Sequence, residues 1–368
     1  MVLICWMIVL SLQTYHYPED SEINKRLKYL QRVIEQPLDE NSEILKLGNE
    51  SREWMLFSYS FSTYAMTNIA LRNSAYKTRV SGTIKEAIEK VLKNEICSAY
   101  DVDPSALQND SIPEYSILYL GHLNLMLGCY RLLTTDDHYH QLHDRLSASL
   151  FYRYKKSSFY QLPSYPNYIW IPDNTVGIAS LKLHSQTTGS KYDSICGIWV
   201  KYVKTHYVDH ATGTLYSTID SESGIPKEEP RGSMLGWSIM FISHFDPPFA
   251  KELYQNYKKH FSNNFGVLRL FKERYNVRTT DVGDIDSGPV FLGYSMPANQ
   301  FALAGAVLSG DMRTAKKLER LTEWGTKEVG PSGETKYQTR FVELNISPMA
   351  EALVLYGMTM TDWQNEVE

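Results

Sequence analysis

Asp281-Val282-Gly283-Asp284-Ile285-Asp286-Ser287-Gly288-Pro289 stands at the head of a soft apolar run, Val290 to Leu308, whose middle is interrupted only by Asn299 and Gln300. A surface helix needs a polar face, so a run this apolar is predicted as a helix buried on nearly all sides. Three aspartates crowd its entrance beside two glycines and a proline, with Asp286 or Ser287 placed to cap it. The same arrangement recurs along the chain, and the recurrence decides the fold.

Working outward, apolar helices are predicted at Arg52–Leu71, from Pro113 through Leu127, at Asp173–Leu183, Ser233–Phe245 and Pro348–Gly357. Between them lie two-faced segments: Ser21–Gln36, Val80–Tyr100, Asp136–Lys155, Lys191–Tyr207, Phe249–Phe261 and Met312–Trp324. In Ser21–Gln36, for instance, Ile23, Leu27, Leu30 and Ile34 share one face and Pro37 stops the helix. The apolar segments begin about 55–63 residues apart, the signature of a repeated helix pair.

The joints differ in a regular way. After four apolar helices the chain turns within a few polar residues, at Thr135–Tyr139, Thr188–Tyr192, Phe245–Phe249 and Ser309–Arg313, with Asp or Ser available to cap the next helix. The other joints are long and rich in Pro, Gly, Asn and aromatic residues. Short joints make neighbouring helices antiparallel, so one end of the assembly has tight turns and the other carries long loops, where function concentrates. Six buried helices shielded by six amphipathic ones predict an all-α fold, an (α/α)6 toroid, with a small hairpin added near Gly213–Pro230. An open solenoid would not explain why one helix of each pair is so much more apolar than its partner.

The 368 residues carry a net charge of −5 without a long basic block, which excludes nucleic acid as a main partner. Cys5, Cys97, Cys129 and Cys196 form neither a zinc pattern nor a dense disulfide framework. No phosphate loop, nucleophile elbow or metal-spaced His pair is evident, so neither cofactor nor metal is expected. His16, His138, His140, His143, His206, His210 and His260 read as solvated. Residues 1–20 form an apolar N-terminal segment, and 21–368 are expected to be one barrel domain. Met1–Leu12 has the length of a signal-peptide core or an anchor remnant, although no Lys or Arg precedes it, and is too short to span a bilayer. Export, or a membrane tether at this end, is the expectation.

In a toroid of this kind the buried helices aim their N-termini at the long-loop face, and their dipoles converge on one funnel. The residues before each buried helix are therefore the candidates. At the third entrance Tyr168 and Trp170 precede Asp173 and Asn174, an aromatic wall beside a carboxylate and an amide. At the fourth, Arg231 precedes Gly232, and Trp237 follows. At the fifth, Asp284 and Asp286 are crowded enough to push one carboxyl pKa upward, as a general acid requires. Calcium is a poor fit there, since the spacing is not that of an EF-hand loop. In the second buried helix His122 interrupts an apolar run two residues before Asn124, with Tyr119 nearby. Facing the axis, His122 would be the imidazole placed for proton transfer.

The run Tyr119-Leu120-Gly121-His122-Leu123, its continuation Tyr130-Arg131, the turn before Tyr139 and the aromatic-Pro-Asp entrance at Trp170–Asn174 resemble the linalool dehydratase/isomerase-like family. That resemblance implies an (α/α)6 barrel and a lyase or isomerase using acid–base chemistry on a small hydroxylated or alkenyl substrate. It implies an acid/base role for His122. The family's characterised member uses cysteines near the third entrance, and Trp170–Leu181 contains none. Two other readings stand beside it. One is a carbohydrate-active enzyme, a glycoside hydrolase or polysaccharide lyase, pairing Asp173 with Asp284 or Asp286. The other is a barrel that binds a ligand without catalysis. An apolar funnel favours the first, an open groove with two carboxylates the second, and aspartates wholly bound to backbone or Arg231 the third.

Overall fold

The computed structural model describes residues 9–108, 112–113, 116–277 and 282–363. Twelve helices carry the architecture: α1 (Asp20–Glu35), α2 (Arg52–Arg72), α3 (Lys77–Val91), α4 (Ile117–Leu133), α5 (His140–Lys156) and α6 (Ile171–Thr188), then α7 (Ser194–His206), α8 (Gly232–Ile242), α9 (Pro247–Phe261), α10 (Met296–Leu308), α11 (Met312–Gly325) and α12 (Pro348–Met358). The even-numbered helices form an inner ring in which each packs on the next and α12 returns to α2. The odd-numbered helices lie outside, each against the inner ring. This is the (α/α)6 toroid.

The two rings follow from residue pattern. α4 is buried without interruption from Ile117 to Tyr130, whereas α3 buries only Val80, Thr83, Ile84, Ala87, Ile88 and Val91, one stripe at helical spacing. Close approach within the inner ring requires small residues at the crossings. A Cβ on Gly121 of α4 would lie 3.2 Å from the backbone nitrogen of Gly177 in α6, so these two helices meet nearly backbone to backbone. Two of the four tight turns cap as their sequence predicts: Asp246 accepts from the Phe249 N–H at 2.9 Å and Asp311 from the Thr314 N–H at 3.2 Å, whereas α5 and α7 begin after Tyr139 and Asp193 without a side-chain cap. Tyr15 closes the circle, donating its hydroxyl to the Met358 carbonyl at 2.6 Å. Arg320 donates to the Leu10 carbonyl and the Gln13 side chain, tying the described part of the N-terminal segment to α11.

All the named strands lie in the long loops. β1 (Tyr168–Trp170), β2 (Thr218–Asp220) and β3 (Pro226–Glu228) form an antiparallel sheet, with Trp170 opposite Thr218. This includes the hairpin expected near Gly213–Pro230. β4 (Ser262–Asn264) pairs with β5 (Arg269–Phe271), and β9 (Thr326–Val329) with β10 (Lys336–Thr339).

Two segments differ from expectation in the kind of structure they form. The segment Val80–Tyr100 is not one helix: α3 ends at Val91, and short helical turns follow at Asn94–Cys97 and Ser98–Tyr100. The fifth inner helix starts at Met296, not Val290. Before it, β6 (Gly283–Asp284), β7 (Gly288–Phe291) and β8 (Tyr294–Ser295) make a three-stranded meander. Gly283, Gly288 and Gly293 have φ of 88°, 60° and 83°, values that interrupt a helix and turn a strand. The cap is accordingly Ser295, which accepts from the Ala298 N–H at 3.2 Å, and neither Asp286 nor Ser287 fills that role. Asp281 and Cys5 lie outside the described residues. Cys97, Cys129 and Cys196 are free and buried, as small apolar side chains. Among the described residues no helix is long and apolar enough to cross a membrane.

Candidate functional site at the long-loop mouth

The third entrance is built by β1 and the first turn of α6. Alternation along the strand turns Ile169 into the core and puts Tyr168 and Trp170 on the opposite face, their ring centroids 5.8 Å apart. Trp170 sits at the N-cap of α6 without capping through its side chain, and Pro172 occupies the first turn. Asp173 follows, 6% exposed, with Oδ2 buried and lacking a hydrogen-bond partner among the described residues. Burial raises its carboxyl to about 7. The Ser164 hydroxyl opposes that rise in part, while the charges of Asp286 and Glu53 add to it. A buried carboxyl with one oxygen unpaired keeps its proton up to near neutrality and can donate it.

Asp286 reaches the same mouth from the turn between β6 and β7. Burial, then the charges of Asp284, Glu53 and Glu273, raise it to about 6 against the opposing pull of Arg231, whose Nη1 lies 3.5 Å from Oδ2. With 37% of the Asp286 side chain exposed, water screens part of this effect. Burial raises both carboxyls, and the Asp286 charge adds to the rise at Asp173. The mouth thus carries two carboxyls held above the usual carboxylate range, the kind of pair that acid–base chemistry uses.

Asp284 has another role. Its Oδ1 accepts the Arg231 Nη2–H at 2.7 Å and the backbone N–H groups of Asp286 and Ser287 at 3.1 and 2.9 Å. Although burial opposes it, the Ser287 N–H and the Arg231 guanidinium hold Asp284 below the usual carboxylate range. It is an ionised brace of the β6–β7 turn, which removes it as a proton donor. Arg231 is likewise engaged: its Nε donates to Glu273 Oε1 at 2.8 Å, and Glu273 also accepts from the N–H and hydroxyl of Ser233. Both Arg231 and Glu273 are almost wholly buried. The guanidinium joins the long loop between α9 and α10 to the start of α8.

Three further candidates are used internally. Asn174 accepts from the Leu162 N–H at 2.7 Å and donates to the carbonyls of Leu162 and Trp170, so its amide shapes the loop. Tyr119 points outward, donating to the Val91 carbonyl of α3 at 2.9 Å, and is fully buried. Trp237 is in the aromatic interior, 5.0 Å from Phe57 and 5.1 Å from Phe61 by ring centroid.

His122 does face the inner ring's interior, but it is sealed there. Phe57, Phe61, Trp237 and Phe241 surround it, and Tyr64 Oη lies 2.9 Å from Nδ1. It is 0% exposed, and burial lowers its pKa to about 3. It is a neutral ring within the aromatic packing.

Glu53 and Glu273 were not legible as site residues. Glu53, in the first turn of α2, accepts the hydroxyls of Ser51 and Tyr165 and raises both Asp173 and Asp286. Its one signal was a carboxylate opening an apolar helix. Glu273 lies in an irregular loop and carried no pattern. On the opposite, tight-turn end, His143 is 1% exposed rather than solvated, beside the buried His184 of α6.

No family model matches the chain. Solved structures share its architecture. An unsaturated glucuronyl hydrolase from Bacillus sp. GL1 superposes with a TM-score of 0.55 at 11% identity, over 82% of this chain and 85% of that one. An unsaturated glucuronyl hydrolase specific for heparin gives 0.53 at 10% identity, over 90% and 96%. The GH76A α-1,6-mannanase from Salegentibacter sp. HEL1_6 gives 0.51 at 11% identity, over 92% and 98%. At such identities the likeness establishes the (α/α)6 fold, and these neighbours act on carbohydrates.

Proposed function

We propose that the protein is a carbohydrate-active enzyme that cleaves a glycan at the long-loop mouth, with Asp173 as general acid and Asp286 as the second carboxylate. The observation that carries this reading is Asp173: buried, unpaired at Oδ2 and raised to about 7. Its proton would pass to the leaving-group oxygen as the glycosidic bond breaks, while ionised Asp286 takes the proton of the attacking water or attacks the sugar carbon itself. Tyr168 and Trp170, their rings tilted 55° to each other, supply aromatic faces for the apolar side of a sugar ring.

The charge balance favours a neutral glycan over a uronate. Arg231 is already matched by Glu273 and Asp284, so an anionic sugar would meet Glu53, Asp284 and Asp286 without gaining that guanidinium. A ligand-binding barrel without catalysis would not need an unpaired acid. The linalool dehydratase/isomerase-like reading rests on His122, which is enclosed by aromatic rings and held neutral. The test is release of reducing ends from a panel of neutral and uronate-containing oligosaccharides by the parent chain, Asp173→Asn and Asp286→Asn. Hydrolysis of a neutral glycan that both substitutions abolish supports the proposal. Equal activity in all three proteins would remove the assignment.

A further inference from the structure

The tight-turn face, at the opposite end of the barrel from the mouth, holds a second constellation. His143 and Asp144 lie in the first turns of α5, and His184 lies one turn before the end of α6. One ligand-type atom from each falls within 4.8 Å of the others. His184 Nε2 and Asp144 Oδ1 are 2.9 Å apart, and the His143 and His184 rings meet edge to face at 4.7 Å.

An independent observation points to a ligand. Both ring nitrogens of His143 are buried with no hydrogen-bond partner among the described residues, and so is Nε2 of His140 one turn earlier. A buried imidazole with neither nitrogen satisfied destabilises a folded protein unless something else occupies its lone pair.

We infer that His143, His184 and Asp144 form a binding site for a borderline divalent cation of the zinc class. Two imidazoles and one carboxylate, with a fourth position open to water, match the donor set and count such an ion takes, whereas calcium and magnesium require more oxygen ligands. Ser190 Oγ lies 2.9 Å from His184 Nδ1, a second contact of the sort that fixes a ligating ring's tautomer and aims Nε2. Asp144 is 51% exposed, which gives an ion a route in. One group opposes binding: Arg131 Nη1 sits 2.5 Å from Asp144 Oδ1 and competes for that oxygen.

The probe is Co2+, used on the full chain after stripping with a chelator. One equivalent should remain bound per chain and give the visible absorption of a four-coordinate ion. Asp144→Asn and His184→Gln should each weaken binding by at least about tenfold and remove that band. Arg131→Gln should tighten binding. Asp144 is on the surface, so its variant reports on the site even where a buried His variant folds poorly, and circular dichroism checks the fold of each. No stoichiometric binding, or binding that Asp144→Asn and His184→Gln leave unchanged, would overturn the inference.

Discussion

Asp173→Asn should make the protein more stable while abolishing its activity, and the size of the gain should depend on pH. Burial raises the Asp173 carboxyl from 3.8 to about 7. At roughly 1.4 kcal/mol per pH unit, that difference is about 4 kcal/mol of stability. The sign follows from proton uptake. The folded chain binds this proton more tightly than the unfolded chain, so the contribution is fully present below about pH 4 and is lost as pH rises through about 7. Asn is the same size and never ionises. Its amide would lack a partner where Oδ2 now lacks one, which reduces the benefit to about 2–4 kcal/mol. Urea unfolding of parent and variant at pH 5 and pH 8.5 reads the effect directly, because m-values allow each free energy to be extrapolated to water. The variant's advantage should be small at pH 5 and near its maximum at pH 8.5. A difference that does not grow with pH would mean Asp173 holds no proton in the folded state, and the general-acid assignment would fall with it.

The pH profile of glycan hydrolysis should be bell-shaped, with an ascending limb near 6 and a descending limb near 7, values that belong to the coupled Asp286–Asp173 pair; Asp286→Asn should remove the ascending limb along with most of the rate, and an unchanged limb would assign it elsewhere. Arg231→Met leaves Glu273 buried without its cation and should lower stability by about 3–5 kcal/mol in urea unfolding, since a charge stranded in the interior is the costly case. His122→Leu strips the Tyr64 hydroxyl of its imidazole partner but keeps the residue-122 carbonyl 3.3 Å from it, and should lower stability by about 1 kcal/mol, yet leave the shape of the pH–rate profile as it was. Gly121→Ala pushes a methyl to 3.2 Å from the Gly177 backbone and should cost about 1–3 kcal/mol by forcing α4 and α6 apart, measurable as a lower thermal midpoint.

The order, number and two classes of helix were readable from the chain because burial writes itself locally. Ile117 to Tyr130 has no polar face to show to water, while Val80, Ile84, Ile88 and Val91 mark a single stripe, and these periods are properties of the sequence alone. Short Asp-bearing turns on one side and long loops on the other likewise located the mouth, and with it Asp173, Asp286, Tyr168 and Trp170. The partners of each charge were not readable, because they come from segments far apart in the chain. Arg231 meets Glu273 and Asp284 across 42 and 53 positions, and Tyr165 meets Glu53 across 112. Burial raised Asp173 to about 7 while the pairing with Arg231 kept Asp284 ionised, although the two are the same residue type at entrances of one mouth. The stretch Asp281–Pro289 therefore announced an acidic rim before a buried helix by composition alone, while only the tertiary structure, through burial and long-range charge, decided which of its carboxylates braces a loop and which acts on Asp173.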